Sequence, residues 1–78
     1  MAFVKEISKG TRGWNTLFYT DGTKYIGFTI NGDIRNGLGT LYAEDGSILK
    51  RGEWLKDEFV TPIEDSEYER ILNKIHNH

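Results

Sequence analysis

"DGTKYIGFTINGDIRNGLGTLYAEDGS" occupies residues 21–47. It opens on Asp21-Gly22-Thr23 and closes on Asp45-Gly46-Ser47, with Gly27, Gly32, Gly37 and Gly39 set among aromatic and aliphatic residues. Asp-Gly and Asn-Gly are hairpin signals, because Gly, Asp and Asn tolerate the positive φ angles of type I′ turns. The runs between them, Lys24 to Ile30 and Leu38 to Ala43, are rich in strand formers. The stretch therefore reads as consecutive antiparallel strands joined by tight turns.

Working outward, the pattern repeats. Thr16-Leu17-Phe18 matches Thr40-Leu41-Tyr42, and Asp21-Gly22-Thr23 matches Asp45-Gly46-Ser47, at a spacing of about 24 residues. Gly27-Phe28 matches Gly52-Glu53-Trp54 after one or two inserted residues. The expected strands cover residues 3–8, 14–19, 24–30, 38–43 and 47–55, with Glu58-Phe59-Val60 as a sixth and residues 55–58 as a looser turn. Gly27, Gly39 and Gly52 fall inside strands, where glycine marks a bulge or a place where another group lies flat on bare backbone. Tyr25, Phe28, Tyr42 and Trp54 are the expected occupants.

These residues resemble the MORN repeat, whose pattern is roughly Tyr-x-Gly-x-Trp, Asn-Gly, Gly-x-Gly-Thr, Asp-Gly. The matching positions are Tyr25, Gly27, Asn31, Gly32, Gly37, Gly39, Thr40, Asp45, Gly46, Gly52 and Trp54, within residues 13–59. Phe28 sits one place before the expected aromatic, and two segments carry an extra residue. The resemblance implies about two degenerate repeats, a twisted single-layer array of hairpins that serves as a binding or scaffolding surface. Some members of the family are linked to membranes and phosphoinositides, others to protein assembly. The repeat itself carries no catalytic residues.

Residues 61–78 change character. Tyr68, Ile71, Leu72 and Ile75 follow the i, i+3, i+4, i+7 spacing of an amphipathic helix, expected over 65–76. Ser66 with Glu69 fits a capping box, and Pro62 fits the first position of a preceding turn. Arg70–Lys74 and Asp65–Glu69 are like-charge pairs, so surface pairing is not expected to hold this helix. The whole is one domain, 1–78: an N-terminal strand or cap (1–12), the hairpin repeats (13–60) and the helix (61–78). The fold class is mainly β (α+β), an antiparallel meander of about five strands with one C-terminal α-helix.

Composition narrows the function. Ten Lys and Arg against twelve Asp and Glu give a net charge of −2. Nucleic-acid binders usually need a basic surface, so that partner is disfavoured, although Lys9 with Arg12, or Lys50 with Arg51, could form a local patch. The same charge argues against strong attachment to anionic lipid. With no cysteine, no disulfide and no thiolate metal site is available. No apolar run reaches signal-peptide or membrane-span length, which leads to the expectation of a cytoplasmic protein.

A search for chemistry finds little. His76 and His78 lie at the extreme C-terminus without a third ligand, and no serine has a base at recognisable spacing. "GTRG" lacks the ending of a phosphate loop. No enzyme, metal or cofactor role is expected. One short helix cannot cover both apolar faces of the sheet. The expected function is therefore a small protein-binding module, an adaptor or a stoichiometric inhibitor. The alternatives are a membrane- or phosphoinositide-associating module and a self-assembling unit, including a homodimer through a sheet edge or the helix. Trp14, Phe18, Tyr42 and Trp54 are the candidate contact aromatics, with Arg12 and Arg35 as polar contacts at nearby turns; Trp, Tyr and Arg dominate interface energies.

Overall fold

The computed structural model describes residues 2–76. One six-stranded antiparallel sheet runs in the simple order β1-β2-β3-β4-β5-β6, followed by a single helix. The strands are β1 (Val4–Lys9), β2 (Trp14–Tyr19), β3 (Lys24–Ile30), β4 (Ile34–Tyr42), β5 (Ile48–Leu55) and β6 (Glu58–Pro62); α1 is Asp65–His76. The meander with one C-terminal helix is as the sequence indicates, with the sixth strand fully formed. Strand β4 starts four residues earlier than expected, because Thr29↔Arg35 and Ile30↔Ile34 pair right up to the Asn31-Gly32 turn.

The turns fall into two kinds. At Asp21-Gly22 and Asp45-Gly46 only the glycine has positive φ, 90° and 91°. The Gly22 N–H donates to Tyr19 O and the Tyr19 N–H to Thr23 O, and Gly46, Ala43 and Ser47 repeat the arrangement. These are three-residue loops, a type I turn followed by a left-handed glycine, rather than the type I′ turns expected from Asp-Gly. In both, the aspartate accepts from the backbone and hydroxyl two residues on, Thr23 or Ser47. Two successive left-handed residues, the type I′ signature, occur instead at Arg12-Gly13 (φ 55° and 81°), at Asn31-Gly32 (55° and 85°) and at Lys56-Asp57 (47° and 73°), the last between the paired Leu55 and Glu58. The segment expected to be a loose turn is thus the shortest loop in the chain. Asp57 tolerates this strain because it is held from outside, as described below.

The pairing register sorts side chains onto two faces. Leu17, Tyr25 and Leu41 stand opposite one another along the sheet, and Leu17, Tyr19, Tyr25 and Trp54 form the buried cluster with Val4, Leu41 and Phe59 against it. This is the open face. Trp14 with Phe28, Phe18 with Lys24 and Tyr42, and Thr40 with Arg51 occupy the opposite face. The helix lies on that second face.

Two strand glycines, Gly27 and Gly39, bed the open-face core, while at Gly52 the β6 backbone makes the close approach. Gly27 pairs with Gly39 and Gly39 with Gly52, so three neighbouring strands present bare backbone in a row. The Tyr25 ring lies flat in this trough, and its hydroxyl donates to Phe28 O at 2.7 Å. Trp54 stands edge-on to Tyr25, centroids 5.4 Å apart, and its Nε1–H donates to Gly39 O at 3.0 Å. Tyr25 and Trp54 are therefore the occupants of the trough; Phe28 and Tyr42 lie on the other face. Rings pave one another on a glycine bed, so Leu17 and Tyr25 reach 0 % exposure without a second layer above them.

Arg51 joins the helix to the sheet. Its Nε donates to the buried Thr40 Oγ1 at 2.9 Å, Nη2 to Tyr42 OH and Nη1 to Asp65 Oδ1, and the guanidinium sits 4.7 Å from the centroid of the Tyr68 ring. Tyr68 is buried, Ile71 and Leu72 are half-buried and Ile75 is exposed. The apolar stripe predicted for α1 is thus anchored at its first turn and loosens toward its end, where His76 meets Trp14 edge-on at 4.8 Å. The helix begins at Asp65, with the Tyr68 N–H donating to Glu64 O, one residue before the Ser66 capping box. Pro62 ends β6 instead of opening a helical turn. On the helix surface Arg70 donates to both oxygens of Glu67 at 2.6 Å, an i, i+3 pair between exposed groups.

Candidate interaction surface

The six candidate contact residues do not share one surface. Phe18 and Tyr42 lie under the helix face, half-buried. Trp54 is on the open face but 4 % exposed, held between Tyr25 and Phe59. Trp14 and Arg12 line a cleft of about 330 Å³ with Thr11, Phe28, Ile75 and His76. Trp14 is wedged there edge-on between Phe28 and His76, so it packs the helix end onto the sheet. His78, the other histidine, lies outside the described residues.

Arg35 proves to be the organising cation of the open face. Its guanidinium lies 4.6 Å from the Trp54 centroid and 5.5 Å from that of Tyr19. Asp57 holds it from the neighbouring hairpin: Nε donates to Oδ1 at 3.1 Å, Nη2 to Asp57 O at 2.9 Å, and the Arg35 backbone N–H also reaches Oδ1. The Asp57 N–H returns a bond to Arg35 O. This reciprocal clamp stabilises the left-handed Lys56-Asp57 turn and lays a planar cation over two aromatic rings. The sequence held no local signal for it, because the partners are 22 residues apart.

Around Arg35 the open face forms a continuous shallow groove. One arm, about 670 Å³, runs toward β6 past Lys50, Trp54, Phe59 and Val60; the other, about 280 Å³, runs toward β2 past Tyr19 and Leu49. Arg35 and Leu41 belong to both arms. Leu49 and Val60 are more than half exposed, and Lys50 stands 5.8 Å from the Phe59 ring centroid. A bulge between Leu41 and Tyr42 turns Leu49 toward this face beside Lys50. Lys50 and Arg51, consecutive in the regular part of β5, point to opposite faces, so the basic patch considered for that pair does not form. The groove mixes the apolar side chains Leu41, Leu49, Phe59 and Val60 with the Arg35 guanidinium laid over the Trp54 and Tyr19 rings and with Lys50, Asp57 and Glu58.

Burial pushes the Tyr19, Tyr25 and Tyr68 hydroxyls above the ordinary phenol value, keeping them neutral. The hydroxyls of Thr23 and Ser47 hold Asp21 and Asp45 below the usual carboxylate value, as expected of turn residues. Among the described residues, no group of three or more His, Asp or Glu is placed to hold a metal ion. No helix among them is long and apolar enough to cross a membrane. The chain matches no family model, no curated protein and no solved structure.

Proposed function

We propose that this chain is a non-catalytic protein-binding module of MORN-like hairpins that docks a partner protein on the open face of its sheet. The observation that carries this is the groove around Arg35 and Leu41: apolar side chains and clamped charges line it together, and the helix is spent on the opposite face. Tyr25 and Trp54 support the groove from beneath through the glycine trough, and the Asp57 clamp fixes Arg35 across them. The exposed contacts are then Leu49, Lys50, Phe59 and Val60, which replace Phe18, Tyr42 and Trp54 as the residues a partner touches. Preorganised apolar surface with a few fixed charges suits stoichiometric binding, since little side-chain entropy is lost on docking.

The test uses Leu49→Glu and Val60→Glu on the groove, with Leu55→Glu as a control that is equally exposed but pairs on the helix face. The three tagged variants and the wild type are used to capture partners from host lysate. A host protein that is retained by wild type and Leu55→Glu and lost from both groove variants supports the reading. Equal recovery with all four, or loss only with Leu55→Glu, removes the groove from consideration. Vesicle flotation with anionic lipid is the parallel arm for the membrane reading.

A further inference from the structure

The two edges of the sheet carry opposite charge. At one edge, β1 and its following turn hold Lys5, Lys9 and Arg12 against the single acid Glu6. At the other, residues 56–64 hold Asp57, Glu58 and Glu64 against the single base Lys56. That segment is the turn into β6, β6 itself and the approach to the helix. Among the described residues, Lys5, Lys9 and Arg12 make no ion pair, nor do Glu58 and Glu64; Asp57 is held by Arg35. Every residue of β1 after Val4 is exposed, and so is every residue of β6 except Phe59.

We propose that copies of this chain associate head to tail, the β1 edge of one pairing antiparallel with the β6 edge of the next. An edge strand offers a row of unpaired backbone groups, and charge on the edge decides what it accepts. Two β1 edges repel, and two β6 edges repel; β1 against β6 attracts. Strand parity agrees. In a six-strand antiparallel meander, β1 and β6 run in opposite directions, so a copy displaced along the sheet continues the alternation without being inverted.

Side-chain faces select the register. Ile7 stands beside Leu17 on the open face, and Phe59 beside Trp54 on the same face. Setting Ile7 opposite Phe59 runs one apolar stripe through the junction. The same register places Ser8 opposite Glu58 and brings Lys9 past the start of β6, beside the Asp57 carboxylate that Arg35 holds. A slip of two residues one way sets Glu6 against Glu58; the other way it sets Lys9 against Phe59 and breaks the stripe. The contact is heterologous, so it generates open chains or rings and not a closed dimer.

The purified wild-type protein tests this with no partner present, so the outcome is separate from that of the groove variants. Sedimentation velocity is run at low salt and in high salt across a dilution series reaching about 1 mM, the range where so small a contact associates. The expected result is a weight-average mass that at least doubles with concentration and returns to the monomer value in high salt. Lys9→Glu alone and Glu58→Lys alone should each remain monomeric. Mixed in equal amounts they should associate again, because each variant's altered edge meets the other's altered edge and each native edge meets a native one. Circular dichroism melts confirm that both exposed-site variants fold. A wild type that stays monomeric at low salt overturns the proposal. So does association that the single reversals leave intact, or a mixture that fails to recover it.

Discussion

Replacing Gly39 with alanine tests the core of the structure. A Cβ at this position would fall on Oη, Cζ and Cε1 of Tyr25, all far under the 3.0 Å that real Cβ atoms respect. The backbone cannot yield, because β4 is paired here on both sides, to Gly27 and to Gly52. Tyr25 must therefore leave its trough. Losing the burial of that ring costs about 1.5–3 kcal/mol. The hydroxyl bond to Phe28 O adds about 1 kcal/mol, and the edge-on contact with Trp54 about 0.5–1.5 kcal/mol. Alanine returns only about 0.4–1 kcal/mol by restricting the unfolded chain. The net loss is about 3 kcal/mol, against a total stability of about 4–12 kcal/mol for a domain of this length. Urea denaturation followed by tryptophan fluorescence measures it, Trp54 reporting the trough directly. The decisive comparison is the same substitution made in a Tyr25→Ala background. With the ring gone, Gly39→Ala should become nearly neutral, giving a coupling of about 2 kcal/mol or more. A loss under about 1 kcal/mol in the wild-type background, or an equal loss in both, would refute the account of the glycine trough.

Two further outcomes are expected. Arg51→Ala removes the guanidinium that bonds Thr40, Tyr42 and Asp65 and covers Tyr68, and should cost on the order of 2 kcal/mol. Hydrogen exchange should show faster exchange in α1 while β2–β4 amides stay protected; uniform loss across the chain would mean that the helix is not separately anchored. Stability should also fall in alkali. Burial raises the folded-state values of Tyr19, Tyr25 and Tyr68 above 10.0, so their contribution is complete below the unfolded value and is lost as pH rises from about 10 through the folded values. In acid the sign reverses. Asp21 and Asp45 are lowered by the Thr23 and Ser47 hydroxyls, and their contribution is lost as pH falls below the ordinary carboxylate value toward their folded values. A flat melting temperature from pH 9 to 12 would contradict the burial of these hydroxyls.

The amino-acid order determined the strands, the meander and the helix, because each rests on local chemistry. Asp-Gly and Asn-Gly mark turns by the backbone angles they permit, period-2 alternation marks half-buried strands, and Tyr68, Ile71, Leu72 and Ile75 mark one face of a helix. It also indicated that Gly27, Gly39 and Gly52 mark bulges or places where another group lies flat; at Gly27 and Gly39 that group is a ring, and at Gly52 it is the β6 backbone. Which ring lies there was decided only in three dimensions. Tyr25 and Phe28 are three positions apart, and a strand sends them to opposite faces. The same alternation separated Trp54 from Trp14, Phe18 and Tyr42, dissolving the single aromatic surface that their residue types suggested. Lys50 and Arg51, adjacent in sequence, parted for the same reason. The Arg35–Asp57 clamp lay beyond local reading because its partners meet only when β4, β5 and the turn into β6 come into register. Burial across a sheet depends on which strands become neighbours and how a bulge such as that at Leu41/Tyr42 re-aims a side chain. That information resides in pairings between distant residues and not in any short run of the chain.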